Sequence, residues 1–364
     1  MIDKEFQKKR KWISLCLTGK ICPMSDWDWI EMLDLCNREG IGPLLYTKLK
    51  QVDLHRKFLK GLKSLYIWTK IKNSLFLEEI TKISSHLKKQ NIPILLLKGS
   101  ALIMTIYSEP YLRPMSDIDI MVKEKDFTKV NIFFKENGYK IINIEYNVWD
   151  RRLGSGRTYT SNNINIDLFT HLERLYIGIG EDERLFSQAI HLSDNIFIPT
   201  PEILLLHSLI HMATHHFYYR LIWLYDIKKI IDKWTIQWDF IYKYIINERS
   251  KRLLFLGLQE AKQLLGANVP DDLLKEINVL ENRFCLFVKK AHGNLKIENI
   301  TYISGMRKIR DILVIFISSL FPSNAYLKVR FGTNNIFMLL FYRLIRPFFV
   351  LFKGMAKITN LLPF

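Results

Sequence analysis

The hydrophobic pattern of the chain predicts helices first, then a mixed region of strands and helices, then helices again. In residues 1–90, apolar positions recur at about the helical period from Trp27 onward, and Ser25 or Asp26 is the predicted N-cap of that helix. A longer amphipathic stretch covers residues 56–89. We therefore expect an N-terminal helical region over residues 1–90.

Residues 91–200 carry strand signals separated by helical ones. The continuous apolar run at residues 94–97, opened by Pro93 and closed by Gly99, is typical of a strand buried on both faces. Further strands are predicted at residues 118–122 and in "YKIIN" and "INIDLFTHL", and helices in "SALIMTIY" and "KDFTKVNIFFKENGYK". The segment "RRLGSGRTYTSNN" predicts a loop or hairpin tip. The pattern indicates the α+β class, with a small mixed sheet flanked by helices.

The chain reads as helical again after Pro201, and its last part is basic and rich in aromatic residues. Residues 201–298 predict a helical domain that closes a cleft over residues 91–200. Residues 299–364 predict a helical tail with nine Lys or Arg against one acid, Asp311. The tail joins bulky apolar residues to isolated cations, which predicts a helix pair packed on the core or, alternatively, a peripheral membrane contact. No window is apolar for long enough to predict a transmembrane helix.

Composition narrows the class of partner. The 364 residues include 53 Lys or Arg and 36 Asp or Glu, which gives a formal net charge of +17. This charge favours nucleotide phosphates, nucleic acid or an anionic membrane surface as partners, although genome bias explains a Lys-rich composition equally well. The four cysteines match neither a zinc site nor a redox pair, and the start of the chain has no apolar signal segment. We therefore expect reduced thiols in a cytoplasmic protein.

Two aspartates interrupt the second predicted strand, in "RPMSDIDIMV". Residues two apart on a strand point to the same side, about 6.6 Å apart along the chain, so the carboxylates of Asp117 and Asp119 can converge. A divalent cation that prefers oxygen ligands, such as Mg²⁺, relieves their repulsion. The alternative is an edge strand with a solvated face. Asp167 in "INIDLFTHL" repeats the pattern, and three carboxylates are the usual requirement for two metal ions.

Two groups of polar residues near the aspartates predict a phosphate site. Lys98, Gly99 and Ser100 lie at a strand-to-helix turn, where helix N–H groups can bind a phosphate and the lysine adds a cation. Arg113 and Ser116 come just before the aspartates, and a planar guanidinium is a suitable clamp for a triphosphate. Plainer alternatives are a structural role for Gly99 in the turn and an ion pair between Arg113 and the first aspartate.

These motifs resemble a known enzyme family. The segments "LLLKGSAL", "YLRPMSDIDIMV", "NIDLFTHL" and "LHSLIHMATHHFYYRLIWLYDI" are similar to the nucleotidyltransferase fold of the DNA polymerase β superfamily. More closely, they resemble an uncharacterised bacterial nucleotidyltransferase family with a K-G then R-x-x-x-D-h-D pattern, distantly related to abortive-infection toxins. The resemblance runs from about Trp27 to Asp226. It implies a polymerase β-like core with N-terminal and C-terminal helical regions.

The resemblance also implies a reaction and a site. An NMP would pass from an NTP to a hydroxyl acceptor, with release of pyrophosphate. Asp117 and Asp119 would bind two Mg²⁺ ions, with Mn²⁺ as the alternative, and Asp167 would bind the catalytic ion and take the proton of the acceptor. The implied contacts of the triphosphate are Lys98, Gly99, Ser100, Arg113 and Ser116, with Gly99 and Ser100 at the β- and γ-phosphates.

Three histidines recur every four residues along one face of a predicted helix, at His207, His211 and His215. This spacing lets at most two of them share a tetrahedral ion, which disfavours a zinc site. We expect these histidines to face the cleft together with Arg220 and Asp226. The alternative is that they are ordinary core or surface histidines.

The sequence does not identify the acceptor and leaves two classes of compound. One class comprises small molecules, peptides, saccharides and lipid-linked hydroxyl compounds. The end of an RNA or tRNA is the alternative, which the toxin relatives and the basic charge suggest. A non-catalytic nucleotide-binding module is a further alternative, and a distance of more than roughly 8 Å between Asp167 and Asp119 would favour it.

Overall fold

The computed structural model describes residues 4–20, 27–144, 156–172, 182–215, 220–244, 248–277 and 320–359, together with residues 313 and 317. Within these ranges a mixed seven-stranded sheet is preceded and followed by helices, which confirms the α+β prediction. The predicted domain limits follow these changes of secondary structure and stay predictions.

The helices before the sheet are α1 (Lys4–Leu17), α2 (Trp29–Arg38), α3 (Gly42–Leu49) and α4 (Arg56–Lys88). Helix α4 matches the amphipathic stretch in the sequence. Helix α2 begins at Trp29 because the Asp28 side chain accepts hydrogen bonds from the N–H groups of Ile30 and Glu31. The N-cap of α2 is therefore Asp28, and the predicted N-cap residues, Ser25 and Asp26, lie outside the described ranges.

The sheet contains β1 (Ile94–Leu96), β2 (Ile118–Met121), β3 (Lys140–Asn143), β4 (Arg157–Ser161), β5 (Ile164–Phe169), β6 (Ile190–Ser193) and β7 (Ile196–Ile198). Their order across the sheet is β3-β4-β5-β2-β1-β7-β6. The intervening helices are α5 (Lys98–Thr105), a 3₁₀ turn (Glu124–Asp126), α6 (Phe127–Glu136) and α7 (Asp182–Ser187). Every residue of β1 and β2 is buried, which confirms the prediction that the 94–97 run is a fully covered strand.

The register of the central strands brings two of the aspartates together. Strands β2 and β5 are parallel, and Asp119 lies directly opposite Asp167. Neighbouring strands are about 4.8 Å apart, and residues in register point to the same side of the sheet. Strand β1 is antiparallel to β2 on its other side and leads into α5. The turn before α5 and the two aspartates therefore meet near the middle of the sheet.

The prediction for "RRLGSGRTYTSNN" is wrong in part. Residues 157–161 form β4, which pairs with β3 and β5. The tip of the β4–β5 hairpin is limited to Asn162 and Asn163, which both have positive φ angles of 50° and 62°. Asparagine adopts this left-handed conformation more readily than most residues, so Asn-Asn suits a tight hairpin.

After the sheet the chain continues as α8 (Pro201–His215), α9 (Leu221–Lys233), α10 (Trp238–Tyr244), α11 (Glu248–Leu265) and α12 (Asp271–Ile277). Helices α8, α9 and α11 pack against one another, and α11 also contacts α1. The helical region predicted after Pro201 is thus present. It covers the face of the sheet that carries the aspartates, because residues of α8 and α9 line the same cavity as these side chains.

The described part of the tail contains α13 (Asn324–Phe331) and α14 (Ile336–Thr359). Helix α13 packs against β3 and against α14, where Phe331 stacks on Tyr342. The outer side of α14 exposes Phe337, Leu344 and Phe348. No helix in the described ranges is both long and apolar enough to cross a membrane.

Candidate active site

A cavity of about 450 Å³ lies between the sheet and the helices that follow it. Its walls come from the first turn of α5, the connection before β2, strands β2 and β5, and helices α8 and α9. It gathers most of the site residues expected from the sequence, namely Lys98, Gly99, Arg113, Ser116, Asp117, Asp119, Asp167, His211, Arg220 and Asp226. Residues from five separate parts of the chain therefore share one space.

Asp119 is the most enclosed of the three aspartates, with 3% of its surface exposed. Its Oδ1 atom lies 2.8 Å from Nζ of Lys98. Its backbone N–H donates to the Ser100 hydroxyl at 3.1 Å, and its carbonyl accepts from the N–H of Leu97. The turn before α5 therefore fixes both the backbone and the carboxylate of Asp119.

Asp167 is positioned by the neighbouring strand β4. Thr158 lies opposite it in the β4–β5 register, and the Thr158 hydroxyl donates to Oδ1 of Asp167 at 2.6 Å. Asp117 comes one residue before β2, where it accepts a hydrogen bond from the Ser116 hydroxyl at 3.0 Å. Since Asp119 and Asp167 are neighbours across paired strands, the condition for a displaced Asp167, on which the non-catalytic alternative rests, is not met.

The electrostatics of this cluster show an excess of negative charge. Burial raises the pKa of Asp119 from its ordinary 3.8 to about 7; Lys98 opposes this rise, and the charges of Asp117 and Asp167 add to it. Burial also raises the pKa of Asp167, against the hydrogen bond from Thr158 and the charge of Lys98. One ammonium group thus faces three carboxylates. A further cation would favour the ionised forms.

Lys98 has an unusual backbone conformation for a lysine. Its φ angle is +44°, in the left-handed region that costs a side-chain-bearing residue about 1–2 kcal/mol. Its ammonium contacts Asp119 and also lies 4.8 Å from the centre of the Phe169 ring. Strained backbone conformations that persist commonly belong to functional sites. The strain here directs the ammonium group to the carboxylates rather than to solvent.

The turn around Gly99 brings the start of α5 to the cavity. The preceding residue, Leu97, provides no side-chain cap, and the first N–H groups of a helix have no partners within the helix. A Cβ atom on Gly99 would lie 2.5 Å from Nη1 of Arg113, so only glycine leaves room for this guanidinium. Ser100 is fully buried and does not line the cavity; its hydroxyl accepts from Asp119. The predicted phosphate contact of its side chain is therefore replaced by a supporting one.

Arg113 forms an ion pair with Asp226 rather than with Asp117. Its Nε atom lies 3.0 Å from both carboxylate oxygens, and its Nη2 lies 2.8 Å from Oδ2. The Tyr107 hydroxyl donates to the same carboxylate at 2.5 Å. Burial lowers the pKa of the Arg113 guanidinium, but Asp226 more than offsets this, and the pKa is raised. Arg113 is thus a fixed cation whose outer face lies over Gly99.

The predicted row of histidines is divided by the structure. His211 lines the cavity, whereas His207 is 2% exposed, does not line it and lies beside His211 with the ring centres 6.3 Å apart. The side chain of His215 lies outside the described part of the chain. Arg220 lines the cavity, where its Nε donates to the carbonyl of Arg38 at 2.8 Å. Of the second group of candidates, His211, Arg220 and Asp226 therefore face the cleft.

The donor chemistry of the cluster fits magnesium. Three carboxylates supply the oxygen ligands that Mg²⁺ prefers, and their excess charge is what a divalent cation would balance. In the present arrangement Lys98 contacts Asp119. Across the described ranges, no three His, Cys, Asp or Glu side chains are already placed so that they could hold a metal ion. A metal ion held by all three carboxylates would therefore require side-chain positions that differ from the present ones.

Several residues that support the site are not among those predicted from the sequence. Thr158 and Tyr107 orient Asp167 and Asp226, and Asn73 donates to the carbonyls of Pro110 and Arg113 from helix α4. The alternating pattern "RTYTS" before an Asn-Asn turn would have indicated the strand that carries Thr158. Tyr107 and Asn73 are distant in sequence from their partners, so no local pattern marks them.

The chain was compared with protein families, solved structures and curated proteins. A family model described as an uncharacterised nucleotidyltransferase matches residues 25–266. The solved structures include the antibiotic-resistance factor ANT(2″)-Ia, which is 12% identical and aligns over 54% of this chain and 91% of its own, with a TM-score of 0.29. No curated protein matches the sequence significantly.

Proposed function

The chain belongs to the uncharacterised nucleotidyltransferase family, and from this premise we propose that it transfers an NMP from an NTP to a hydroxyl acceptor in an Mg²⁺-dependent reaction. Membership makes the protein an enzyme of the nucleotidyl-transfer class with the nucleotidyltransferase fold. One observation carries the finer proposal. Asp119 and Asp167 lie in register on parallel strands, with Asp117 beside them, in a cavity large enough for a nucleotide.

The triphosphate would bind at the start of α5. The helix N–H groups around Gly99 point their positive ends toward this region, and Lys98 and Arg113 add two cations. Arg113 keeps its position because Asp226 binds it through two nitrogen atoms. Ser116 supports Asp117 through a hydrogen bond. These groups would orient the α-phosphorus toward the aspartates, which is most of what phosphoryl-type transfer asks of a protein.

The carboxylates would supply the reaction centre. Asp117, Asp119 and Asp167 would hold Mg²⁺, which would supply neutralisation of the phosphate charge and a lower pKa of the acceptor hydroxyl. The acceptor oxygen forms a bond to the α-phosphorus, the bond from that phosphorus to the bridging oxygen breaks, and pyrophosphate leaves. Asp167 takes the hydroxyl proton, a task that suits a carboxylate whose pKa burial raises. Thr158 keeps Asp167 oriented.

The cysteines bear on where the reaction takes place. Cys16 and Cys36 are fully buried, and burial raises the pKa of the Cys36 thiol. Buried protonated thiols are inert packing groups. Together with the need for NTP, they support our proposal that the enzyme works in the cytoplasm.

A labelling experiment tests the proposed function. The full chain is incubated with each α-³²P-labelled NTP and Mg²⁺, with and without total cell RNA, and with a small-molecule cell extract. We expect label transfer and pyrophosphate release from at least one NTP. Asp117→Ala should abolish both, whereas Asp34→Ala, on an exposed part of α2, should leave them intact. Pyrophosphate release that persists undiminished in Asp117→Ala, or its absence with every NTP, would contradict the proposal.

A further inference from the structure

A second, smaller cavity of about 150 Å³ adjoins the nucleotide cavity. The two share three wall residues, Pro114, Met115 and Arg220. The remaining walls of the second cavity come from α2, α3 and α4, the N-terminal helices that the proposed reaction does not otherwise use. The carboxylates line only the larger cavity, so a ligand in the second cavity would reach them past Pro114, Met115 and Arg220.

Arg220 marks the junction between the two cavities. Its Nε donates to the carbonyl of Arg38, and its guanidinium lies 5.2 Å from the centre of the Trp223 ring. Gly40 has a φ angle of +71°, and a Cβ atom there would lie 2.8 Å from Nη2 of Arg220. The N-terminal region is therefore built to bring this cation to the junction, where it can contact an anion bound across both cavities.

Helix α4 extends the second cavity along the surface. Trp68 and Lys72 line the cavity, and Trp68 is 66% exposed. Ile67, Ile71 and Leu75 are also exposed and recur at helical spacing around Trp68. We call the exposed side chains of residues 60–75 on this helix the α4 stripe. Its apolar and aromatic groups are not covered by any described part of the chain.

The α4 stripe is also strongly basic. Between residues 56 and 77 helix α4 has no acidic residue; the exposed cations of the stripe are Lys60, Lys63 and Lys70, and Lys72 lies half-buried beside them. Lys60 and Lys72 are about 18 Å apart along the helix, at 1.5 Å per residue. This distance exceeds the length of one nucleotide, so a partner that contacts the whole stripe must be an extended anion.

We propose that the second cavity and the α4 stripe form the acceptor side of the site and bind the hydroxyl-bearing end of a single-stranded RNA. This inference rests on the proposed function and names its acceptor. The exposed indole of Trp68 provides a stacking surface for a base, the neighbouring aliphatic side chains add apolar contact, and interspersed lysines neutralise the phosphates, which is the chemistry of proteins that bind single strands. The last nucleotide would occupy the second cavity, and its hydroxyl would reach the α-phosphorus near Arg220.

A binding measurement tests the surface independently of catalysis. The probe is a short 5′-fluorescein-labelled single-stranded RNA, and binding is followed by fluorescence anisotropy. Trp68→Ala/Lys70→Ala should bind about 5- to 100-fold more weakly than wild type, the loss expected when a stacked base loses its platform. The matched control is Ile132→Ala/Lys135→Ala, an exposed apolar and basic pair on α6, which should bind as wild type does. Since all four side chains are exposed, thermal unfolding should be the same in the three proteins.

An activity measurement completes the test and separates the two proposals. Label from an NTP should pass to the RNA, and the α4 double variant should reduce this transfer while leaving Mg-NTP binding unchanged. Equal RNA binding by wild type and the α4 variant, transfer only to a free nucleotide or other small molecule, or binding to phosphatidylglycerol vesicles in place of RNA would overturn the inference. Absence of pyrophosphate release with every NTP would instead overturn the proposed function, and the binding arm would still decide whether the stripe is an RNA surface.

Discussion

Two clusters of charged residues line the nucleotide cavity, and they differ in charge balance. In the first, Arg113 and Asp226 carry one charge each, and their nitrogen and oxygen atoms meet in three contacts of 2.8–3.0 Å. In the second, which we call the carboxylate cluster, Asp117, Asp119 and Asp167 face the single ammonium of Lys98. Arg113, Asp226 and Asp119 are buried, whereas Lys98, Asp117 and Asp167 are half-buried, so the two clusters differ in charge balance and also in exposure.

The comparison separates a structural role from a chemical one. A balanced buried pair fixes geometry, and the loss of either member leaves an uncompensated charge. In the unbalanced cluster, burial raises the pKa of Asp119, the charges of Asp117 and Asp167 add to this rise, and a cation would favour the ionised forms. Under the proposed function, the Arg113–Asp226 pair supports the site and the carboxylate cluster carries out the transfer.

The largest expected effect is on turnover in Asp119→Asn. Loss of this carboxylate should lower the rate of pyrophosphate release about 10³-fold, a size typical of removing one preorganised charged group. Thermal stability should stay the same or rise, because the substitution relieves the repulsion within the carboxylate cluster. Asp232→Asn, in an exposed pair with Lys228 on α9, is the matched control and should be unaffected in both respects. If Asp119→Asn lost activity because it unfolds, the carboxylate cluster would support the fold as the Arg113–Asp226 pair does, and the two clusters would not differ in role.

The balanced pair should behave in the opposite way. Asp226→Ala leaves the Arg113 guanidinium buried without its partner and should lower the free energy of unfolding by about 3–5 kcal/mol. The double variant Arg113→Met/Asp226→Leu should recover most of this loss, since neither charge remains. Urea denaturation of the single and double variants checks both values. Equal stability of Asp226→Ala and wild type would mean that the pair does not support the fold.

The pH dependence of stability should reveal the carboxylate cluster. Burial raises the pKa of Asp119 from 3.8 to about 7, so between these values the folded protein binds more protons than the unfolded one. The contribution of this group to stability is therefore complete below about pH 4 and is lost as the pH rises toward 7. At about 1.4 kcal/mol per pKa unit, a shift of about 3 units corresponds to a loss of roughly 4 kcal/mol.

Unfolding free energies measured from pH 4 to 7 without metal check this window. The decline should be smaller in Asp119→Asn than in wild type, and Mg²⁺ should restore stability to wild type near pH 7 by binding the ionised form. A decline of equal size in both proteins would assign the effect to other groups.

The smallest effect is expected at Gly99, which follows Lys98 of the carboxylate cluster and lies against Arg113 of the ion pair. Gly99→Ala places a Cβ atom against Nη1 of Arg113, which Asp226 prevents from moving freely. We expect NTP affinity to fall about fivefold, or about 1 kcal/mol, in a titration with Mg-NTP. Gly61→Ala is the matched control, because its Cβ would press on Leu33 instead, far from the nucleotide. It should change stability and leave NTP affinity unchanged; equal affinity losses in both would point to a general effect of packing.

Local patterns in the sequence predicted much of the scaffold. The amphipathic stretch at residues 56–89 became α4, and the buried run at residues 94–97 became β1, because hydrophobic periodicity reports directly on burial. The family motifs predict that Asp117, Asp119 and Asp167 belong to one site. The sequence does not predict strand β4, because the Gly- and Arg-rich residues at the start of this segment obscure the alternating pattern that follows them.

The sequence by itself determined which residues carry charge and which strands bear the aspartates, because side-chain type and periodicity are local properties. Only the tertiary structure decided the partners. Arg113 pairs with Asp226, 113 residues away, and Ser100 turns inward to support Asp119 instead of facing the cavity. The same is true of helix α4, whose Asn73 donates to the carbonyls of Pro110 and Arg113 and so places the α4 stripe beside the connection before β2. Such pairings depend on which distant groups share a buried space, and the cost of leaving a buried charge unpaired selects among them.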